Sequence, residues 1–423
     1  MELKEILESE RIKEAKKGFD LAFQAYLTNR EKALEGIDEE LLKKELRRIK
    51  EESIKNLFML KARAIGNLKK QGVQVFEAKD SKEAKEILLR LVPKGEIIVK
   101  SKSNVISEIG IEDLEGRNEI VKTDCGDFLV QICEESSVHP VTPALHLSVD
   151  KIVKAVEKKF GVKLEEKPEE IVKWVRGYLR EKILKAKVGL TGANVISSDG
   201  GIFIVENEGN ISLVSKLPEK HIIVASIDKI VPSIQDAITI CKALAIYGVG
   251  SSLPTYINVI SSPSKTADIQ EQIVYGAHGP KEVCLILLDN GRSKIIEEGL
   301  EEILYCINCG ACLYFCPIYR QIFDNYGYRY FGGRGVSLVS FIFGIEKAFE
   351  RGLFYCTTCS ACKEQCPLSI DVPHLIRRVR EIAVERNLTT KANFEMVENL
   401  ESVGNPFGET LKEGKIPDKL YCC

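Results

Sequence analysis

The chain has 423 residues, 44% of them apolar, and a formal net charge of -2. That length exceeds one ordinary core and predicts two or three domains. The near-neutral balance, without a Lys/Arg block, argues against a nucleic-acid or membrane-surface footprint. No apolar run approaches the roughly 18 residues that span a bilayer. The charged start MELKEILESERIKEAKK has no signal-peptide apolar segment. A cytoplasmic protein is expected, with any membrane attachment supplied by partners.

Residues 1–70 are rich in Glu, Lys, Leu and Ala and contain no Pro. Leu41, Leu42, Leu46, Ile49, Ile54, Leu57, Leu60 and Ile65 recur at helical spacing. The pattern predicts two long helices broken near Gly36-Ile37-Asp38, with Asp38 as a cap. They form either a helical cap on the next domain or a partner-binding segment. Residues 71–295 alternate short β-type runs with helical stretches. The runs are Val73–Phe76, Glu96–Val99, Phe128–Ile132, Ile202–Val205, Ile222–Ser226, Tyr256–Ile260 and Val283–Leu288. The helical stretches are Ser81–Leu91, Val149–Lys159, Glu169–Lys187 and Ser233–Ile246. This alternation predicts an α/β domain with a mostly parallel sheet, ending at the Asn290-Gly291 turn. Residues 296–388 read as helical around two cysteine runs, with Gly335–Gly352 and Val372–Glu385 as helices. Residues 389–423 form a polar tail with a turn at Asn405-Pro406-Phe407-Gly408.

Fourteen cysteines are many for a reducing compartment, where clustered thiols more often bind metal than form disulfides. Cys125, Cys133, Cys241 and Cys284 are scattered, and Cys422-Cys423 end the chain as a tail with either no role or a redox or ligand role. The other eight form two runs, C-I-N-C-G-A-C-L-Y-F-C-P (Cys306–Pro317) and C-T-T-C-S-A-C-K-E-Q-C-P (Cys356–Pro367). Both fit C-x2-C-x2-C-x3-C-P. Three thiolates at this spacing wrap one corner of a cubane, and the fourth points to a second cluster. The proline that follows has no N–H to leave unpaired. Two [4Fe–4S] clusters are therefore expected. Cys306, Cys309, Cys312 and Cys366 should hold the first, and Cys356, Cys359, Cys362 and Cys316 the second. Structural zinc prefers two separated pairs of ligands and has no need of this spacing twice.

Other signals are weaker. There is no G-x-x-x-x-G-K-[ST] loop. Gly248-Val249-Gly250 lacks a third glycine and follows a helix-like stretch. His139 and His146 are structural residues or, less simply, metal ligands. Asn194, Glu206 and Glu208 lie around the end of the predicted strand Ile202–Val205, and Lys100 and Lys102 follow Glu96–Val99. Ligands of α/β sheets sit beyond strand carboxyl ends. Asn194, Glu206, Glu208 and Lys102 are therefore candidate catalytic residues. The two glutamates would share one side and the lysines would face an anion. The alternative is a hydrogen-bonded turn network that only shapes the fold.

The ordered set V-K-S-K-S (Val99–Ser103), G-L-T-G-A-N (Gly189–Asn194), V-E-N-E-G-N (Val205–Asn210), D-K-I-V-P (Asp228–Pro232), L-L-D-N-G-R-S (Leu287–Ser293) and C-I-N-C-G-A-C resembles the lactate utilization protein B family, over roughly residues 5–385. The resemblance implies a LUD domain of NagB/RpiA/CoA-transferase-like fold, preceded by helices and followed by an all-α helical ferredoxin domain. It maps the eight motif cysteines to cluster ligands. It also implies an electron-transfer subunit in L-lactate oxidation to pyruvate, partnered by a cysteine-rich CCG-domain subunit and a smaller LUD subunit. Two departures stand out. Cys125 replaces a usual Leu, and Gly404-Asn405-Pro406-Phe407-Gly408 resembles the linker to a CCG domain in heterodisulfide reductase-type proteins.

Overall fold

The computed structural model describes residues 3–140 and 142–408. Cys422 and Cys423 lie outside the described residues. The strands before the cysteine-bearing region, in chain order, are β1 (Gln74–Ala78), β2 (Ile97–Lys100), β3 (Glu119–Lys122), β4 (Val188–Gly192), β5 (Val195–Ser197), β6 (Gly201–Glu206), β7 (Lys220–Ser226), β8 (Ile230–Val231), β9 (Tyr256–Ile260), β10 (Lys265–Thr266), β11 (Val274–Tyr275) and β12 (Glu282–Leu288), and a short antiparallel pair, Gly327–Tyr328 with Tyr330–Phe331, lies within that region. Six of them form one parallel sheet in the order β1-β12-β7-β4-β2-β3. A second sheet, β8-β5-β6-β9, stands beside it. The parallel α/β expectation holds. The central strands β7 and β12 are buried along most of their length, as a sheet covered on both faces requires.

The loops after the parallel strands end in helix caps. Asp80 accepts from Glu83 N at 2.8 Å, Ser103 from Ile106 N at 3.3 Å, and Asp124 from Asp127 N at 2.8 Å. The Asp124 cap corrects one expectation. Phe128–Ile132 is the buried end of the helix Cys125–Ile132 and not a strand. An apolar run this short fits either element, and the cap decides between them.

The N-terminal region is four helical segments rather than two: Leu3–Glu8, Glu10–Leu34, Glu39–Lys55 and Leu57–Lys70. Asp38 caps the third, accepting from Leu41 N at 2.9 Å. At the extra break, Asn56 donates both its backbone N–H and its side-chain amide to Glu52 O, each at 3.1 Å. The long helix Glu10–Leu34 lies across the first cysteine run. Tyr26 stacks on Tyr314 at 4.3 Å between ring centroids, and Phe19 meets the same ring at 5.3 Å. One hydrophobic core thus joins the N-terminal helices, the helix Ile234–Val249 and the cysteine-bearing region.

That region is helix-rich, as expected for a ferredoxin-like unit. The predicted helix Gly335–Gly352 is two, Gly332–Ile342 and Ile345–Glu350, interrupted at Phe343-Gly344, where Gly344 takes φ +97°. Val372–Glu385 is a helix with Asp371 as its cap. No described helix is long and apolar enough to cross a membrane.

Candidate metal centre

The two cysteine runs fold alike. The residue before each second cysteine, Asn308 or Thr358, has φ of +61° or +52°, and the residue after it, Gly310 or Ser360, has φ of +83° or +68°. Two left-handed residues around the middle cysteine curl the backbone inward and aim amide N–H groups at sulfur. Asn308 N donates to Cys306 Sγ at 3.3 Å, and Thr358 N to Cys356 Sγ at 3.4 Å. Gly310 adopts its conformation at no steric cost, and Ser360 accepts the strain. A short helix, Ala311–Phe315 or Ala361–Glu364, then carries the third cysteine. These two helices pack against each other, so the runs face one another.

The facing arrangement distributes the fourth cysteines across the runs. Cys366 lies within electrostatic reach of Cys306, Cys309 and Cys312, the trio of the other run. Cys316 is in the same relation to Cys356, Cys359 and Cys362. Cys312 also senses Cys362, so the two groups adjoin. A cavity is lined by Cys312, Cys316, Cys356, Cys359 and Cys362, with Tyr326 and Pro373 on its walls.

The donor set fits iron–sulfur clusters. Burial, then neighbouring sulfur, pushes Cys309 and Cys362 up to about 12. Burial pushes Cys316 and Cys366 up to about 11, although backbone N–H groups pull both down. Thiols so crowded ionise only against strong positive charge, which cluster iron supplies as the protons leave. A single zinc would need its thiolates about 2.3 Å from one point. Among the described residues no three His, Cys, Asp or Glu side chains gather in that way. No disulfide occurs among the described cysteines. Cys309 is buried and Cys359 exposed, so one sulfur group is deep and the other reaches the surface.

Sequence reading missed a buried ionic network that ties the cysteine region to the sheet. Arg292 Nε donates to Asp228 Oδ1 at 2.6 Å, and both Nη atoms donate to Glu108 at 2.8 Å. Tyr330 Oη donates to Glu108 Oε2 at 2.6 Å. Lys50 Nζ donates to Asp228 O at 2.5 Å, and Lys229 lies 3.7 Å from the Asp228 carboxylate. Burial opposes the Asp228 charge, but Lys229, Arg292 and Lys50 outweigh it and hold the carboxyl well below the usual range. Burial brings Lys50 down to about 8, against the attraction of Asp228. Lys229 also acts on Cys306, and Arg334 donates to Asn308 Oδ1 at 3.1 Å, beside that sulfur. Charged residues within or directly after apolar runs, in I-D-K-I-V and L-L-D-N-G-R-S, were the visible signal.

Cations beside sulfur favour the reduced, more negative cluster. Lys229→Met is therefore expected to lower the potential of the cluster at Cys306 in a redox titration. Within Coulombic reach and at an effective dielectric near 20, one charge is worth roughly 2 kcal/mol, on the order of 90 mV for a one-electron couple. An unshifted potential would mean the ammonium is screened.

The candidate residues in the sheet domain take separate places. Asn194 Oδ1 accepts from Val205 N at 2.9 Å and closes the β5–β6 hairpin. Glu206 is buried and accepts from Ile211 N at 2.6 Å, Ser212 N at 2.9 Å and Asn258 Nδ2 at 2.8 Å. Glu208 turns elsewhere, accepting from Cys125 N at 3.1 Å. The two glutamates therefore do not share a side, because β6 ends at Glu206 and the chain turns. Lys100 is buried at the end of β2. His139 Nδ1 accepts from Thr142 N at 3.2 Å, and its ring packs on Tyr314 at 5.0 Å. His146 lies 4.0 Å from Glu135. The two histidines belong to separate contacts and make no common metal site among the described residues. Gly250 ends the helix Ile234–Val249 in a left-handed cap, which accounts for Gly248-Val249-Gly250.

Residues 61–288 match the LUD domain model and residues 302–370 the 4Fe-4S dicluster domain model. Lactate utilization protein B of Anoxybacillus flavithermus is 34% identical over 345 residues, covering 80% of this chain and 71% of the relative. The Bacillus subtilis protein of the same name is 33% identical, covering 80% and 70%. The "Uncharacterized electron transport protein YkgF" of Escherichia coli is 31% identical over 327 residues, covering 76% and 67%. With a LUD domain joined to a 4Fe–4S dicluster domain, and with relatives this similar over most of its length, the chain belongs to the lactate utilization protein B family.

Proposed function

We propose that this chain is the iron–sulfur electron-transfer subunit of a multi-subunit oxidoreductase that oxidises L-lactate to pyruvate. The observation that carries the reading is the exchange of fourth cysteines between the two facing runs. In this reading Cys306, Cys309, Cys312 and Cys366 hold one cluster, and Cys356, Cys359, Cys362 and Cys316 the other. A [4Fe–4S] cluster, when bound, takes up and returns one electron at a time. The chain itself places the sulfurs, keeps water from Cys309, directs N–H groups at Cys306 and Cys356, and sets cations near Cys306.

Cys359 marks the face where an electron carrier approaches. Beside it runs a charged groove lined by Lys43, Lys44, Arg47, Ser360, Lys363 and Glu364. The partners in this reading are a cysteine-rich CCG-domain subunit and a smaller LUD subunit, and the reacting lactate meets its oxidant in their assembly. The test is anaerobic reconstitution of this chain with those two subunits. Addition of L-lactate is expected to bleach the visible cluster absorbance. Failure to bleach, with another 2-hydroxy acid active, moves the substrate assignment.

A second reading makes the chain a wire to a CCG-type thiol or disulfide reductase. It is favoured by the helix Lys391–Val403, whose Phe394, Val397, Leu400 and Val403 are exposed just before the Gly404–Gly408 turn. Bleaching by a dithiol, with lactate inert, selects this reading.

A further inference from the structure

The six-stranded sheet has a switch point between β2 and β4. These strands are neighbours, yet the next strand after β2 is β3 on one side, and the next after β4 in this sheet is β7 on the other. Loops leaving such a pair diverge and open a crevice at the strand carboxyl ends. Here the two loops meet closely at one point. A Cβ on Gly192 would stand 2.4 Å from Ser103 Oγ, so only glycine lets the loop after β4 pass. Lys102 is the residue next to that contact.

Lys102 is an unusual lysine. Its Nζ is buried and has no hydrogen-bond partner. Lysines on a surface carry the ammonium outward and bury the stem; this one does the reverse. Burial holds the ammonium below the usual lysine range against the attraction of Asp124, Asp127 and Glu208, none of which is within ion-pair distance. A buried, unpaired ammonium costs several kcal/mol, and a fold retains one where something else pairs with it.

The surroundings describe the missing partner. Asp124 and Glu208 are both pushed up by burial, and their charges also repel each other. Their oxygens are suited to accept a hydrogen bond from a hydroxyl, while the ammonium takes a carboxylate. Asn210 Nδ2, on the same edge, donates to Thr123 Oγ1 at 3.2 Å. His139 is within electrostatic reach of Lys102, its ring lies 5.0 Å from that of Tyr314, and Tyr314 sits between Cys312 and Cys316. The Lys102 ammonium therefore lies toward the cysteine side of the molecule.

We propose that Lys102 is the anion-binding centre of a small-carboxylate site, with Asp124 and Glu208 recognising an oxygen on the adjacent carbon. The ligand class is a 2-hydroxy monocarboxylate. This deepens the proposed function and rests on it only for which carboxylate is physiological.

The test is calorimetric titration of the anaerobically purified, cluster-loaded chain with L-lactate, with pyruvate and with inorganic phosphate. Wild-type protein is expected to bind a carboxylate at one site per chain. Lys102→Met is expected to weaken that binding at least ten-fold, and Lys102→Arg to retain it within a few-fold. Because Met relieves an unpaired ammonium, the melting midpoint should stay the same or rise, with cluster absorbance unchanged. A merely structural lysine would lower the midpoint instead. Equal affinity in Lys102→Met, no carboxylate binding by wild type, or preference for phosphate would each overturn the proposal. The experiment reads binding without turnover, so its failure is separable from failure of lactate-dependent bleaching.

Discussion

Cys316→Ser is expected to disrupt the cluster of the opposite run. Cys316 follows Cys306, Cys309 and Cys312 in sequence, but the sulfurs that press on it are those of Cys356 and Cys359. Iron should fall from about eight to about four per chain, since one cubane of two is lost. Iodoacetamide should then label Cys356, Cys359 and Cys362, now without iron, and leave Cys306, Cys309 and Cys312 protected. Cys366→Ser should give the reverse pattern. Peptide mapping after alkylation reads both. Labelling confined to the run that carries the substitution would show that each run holds its own cluster.

The second large effect concerns stability. Arg292→Met removes the cation that holds Glu108 and Asp228 together, and all three side chains are at most 4% exposed. Breaking such a network leaves buried carboxylates unpaired and costs about 3–5 kcal/mol. Chemical unfolding should show a much lower midpoint, or the chain should not accumulate. The exposed pair Arg378–Glu381 is the control, and Arg378→Met should change stability by about 0.5 kcal/mol or less. The same network makes a pH signature. A carboxyl held low in the folded state contributes stability that is fully present above about pH 4 and lost as pH falls through the folded value. Arg292→Met should flatten the acid limb of the stability curve.

What the sequence disclosed depended on how local the cause was. The cysteine runs are legible because their ligands sit two or three residues apart and their backbone geometry is set within the run. β7 and β12 are legible as apolar runs, being buried along most of their length. β4 is not, because V-G-L-T-G carries two glycines whose reason lies elsewhere: the passage past Ser103 for Gly192, and for Gly189 the carbonyl of Val214, which a Cβ would approach to 1.9 Å. Phe128–Ile132 reads equally as strand or helix until the Asp124 cap is seen. The ionic network was out of reach. The motifs D-K-I-V-P and L-L-D-N-G-R-S were visible, but Arg292 meets Asp228 across 64 residues and Glu108 across 184. Of the candidate residues in the sheet domain, Asn194 and Glu206 support turns and a helix start, and Lys102 keeps a chemical feature that no turn explains.

The central claim is that two cubanes lie side by side, each completed by a cysteine from the other's run. Paramagnetic resonance of the fully reduced, anaerobically purified chain tests it most directly. Neighbouring reduced clusters broaden and split each other's signals, so the wild-type spectrum should show spin–spin interaction and Cys316→Ser a single uncoupled centre. A wild-type spectrum that is a plain sum of two isolated clusters, or of one, would contradict it.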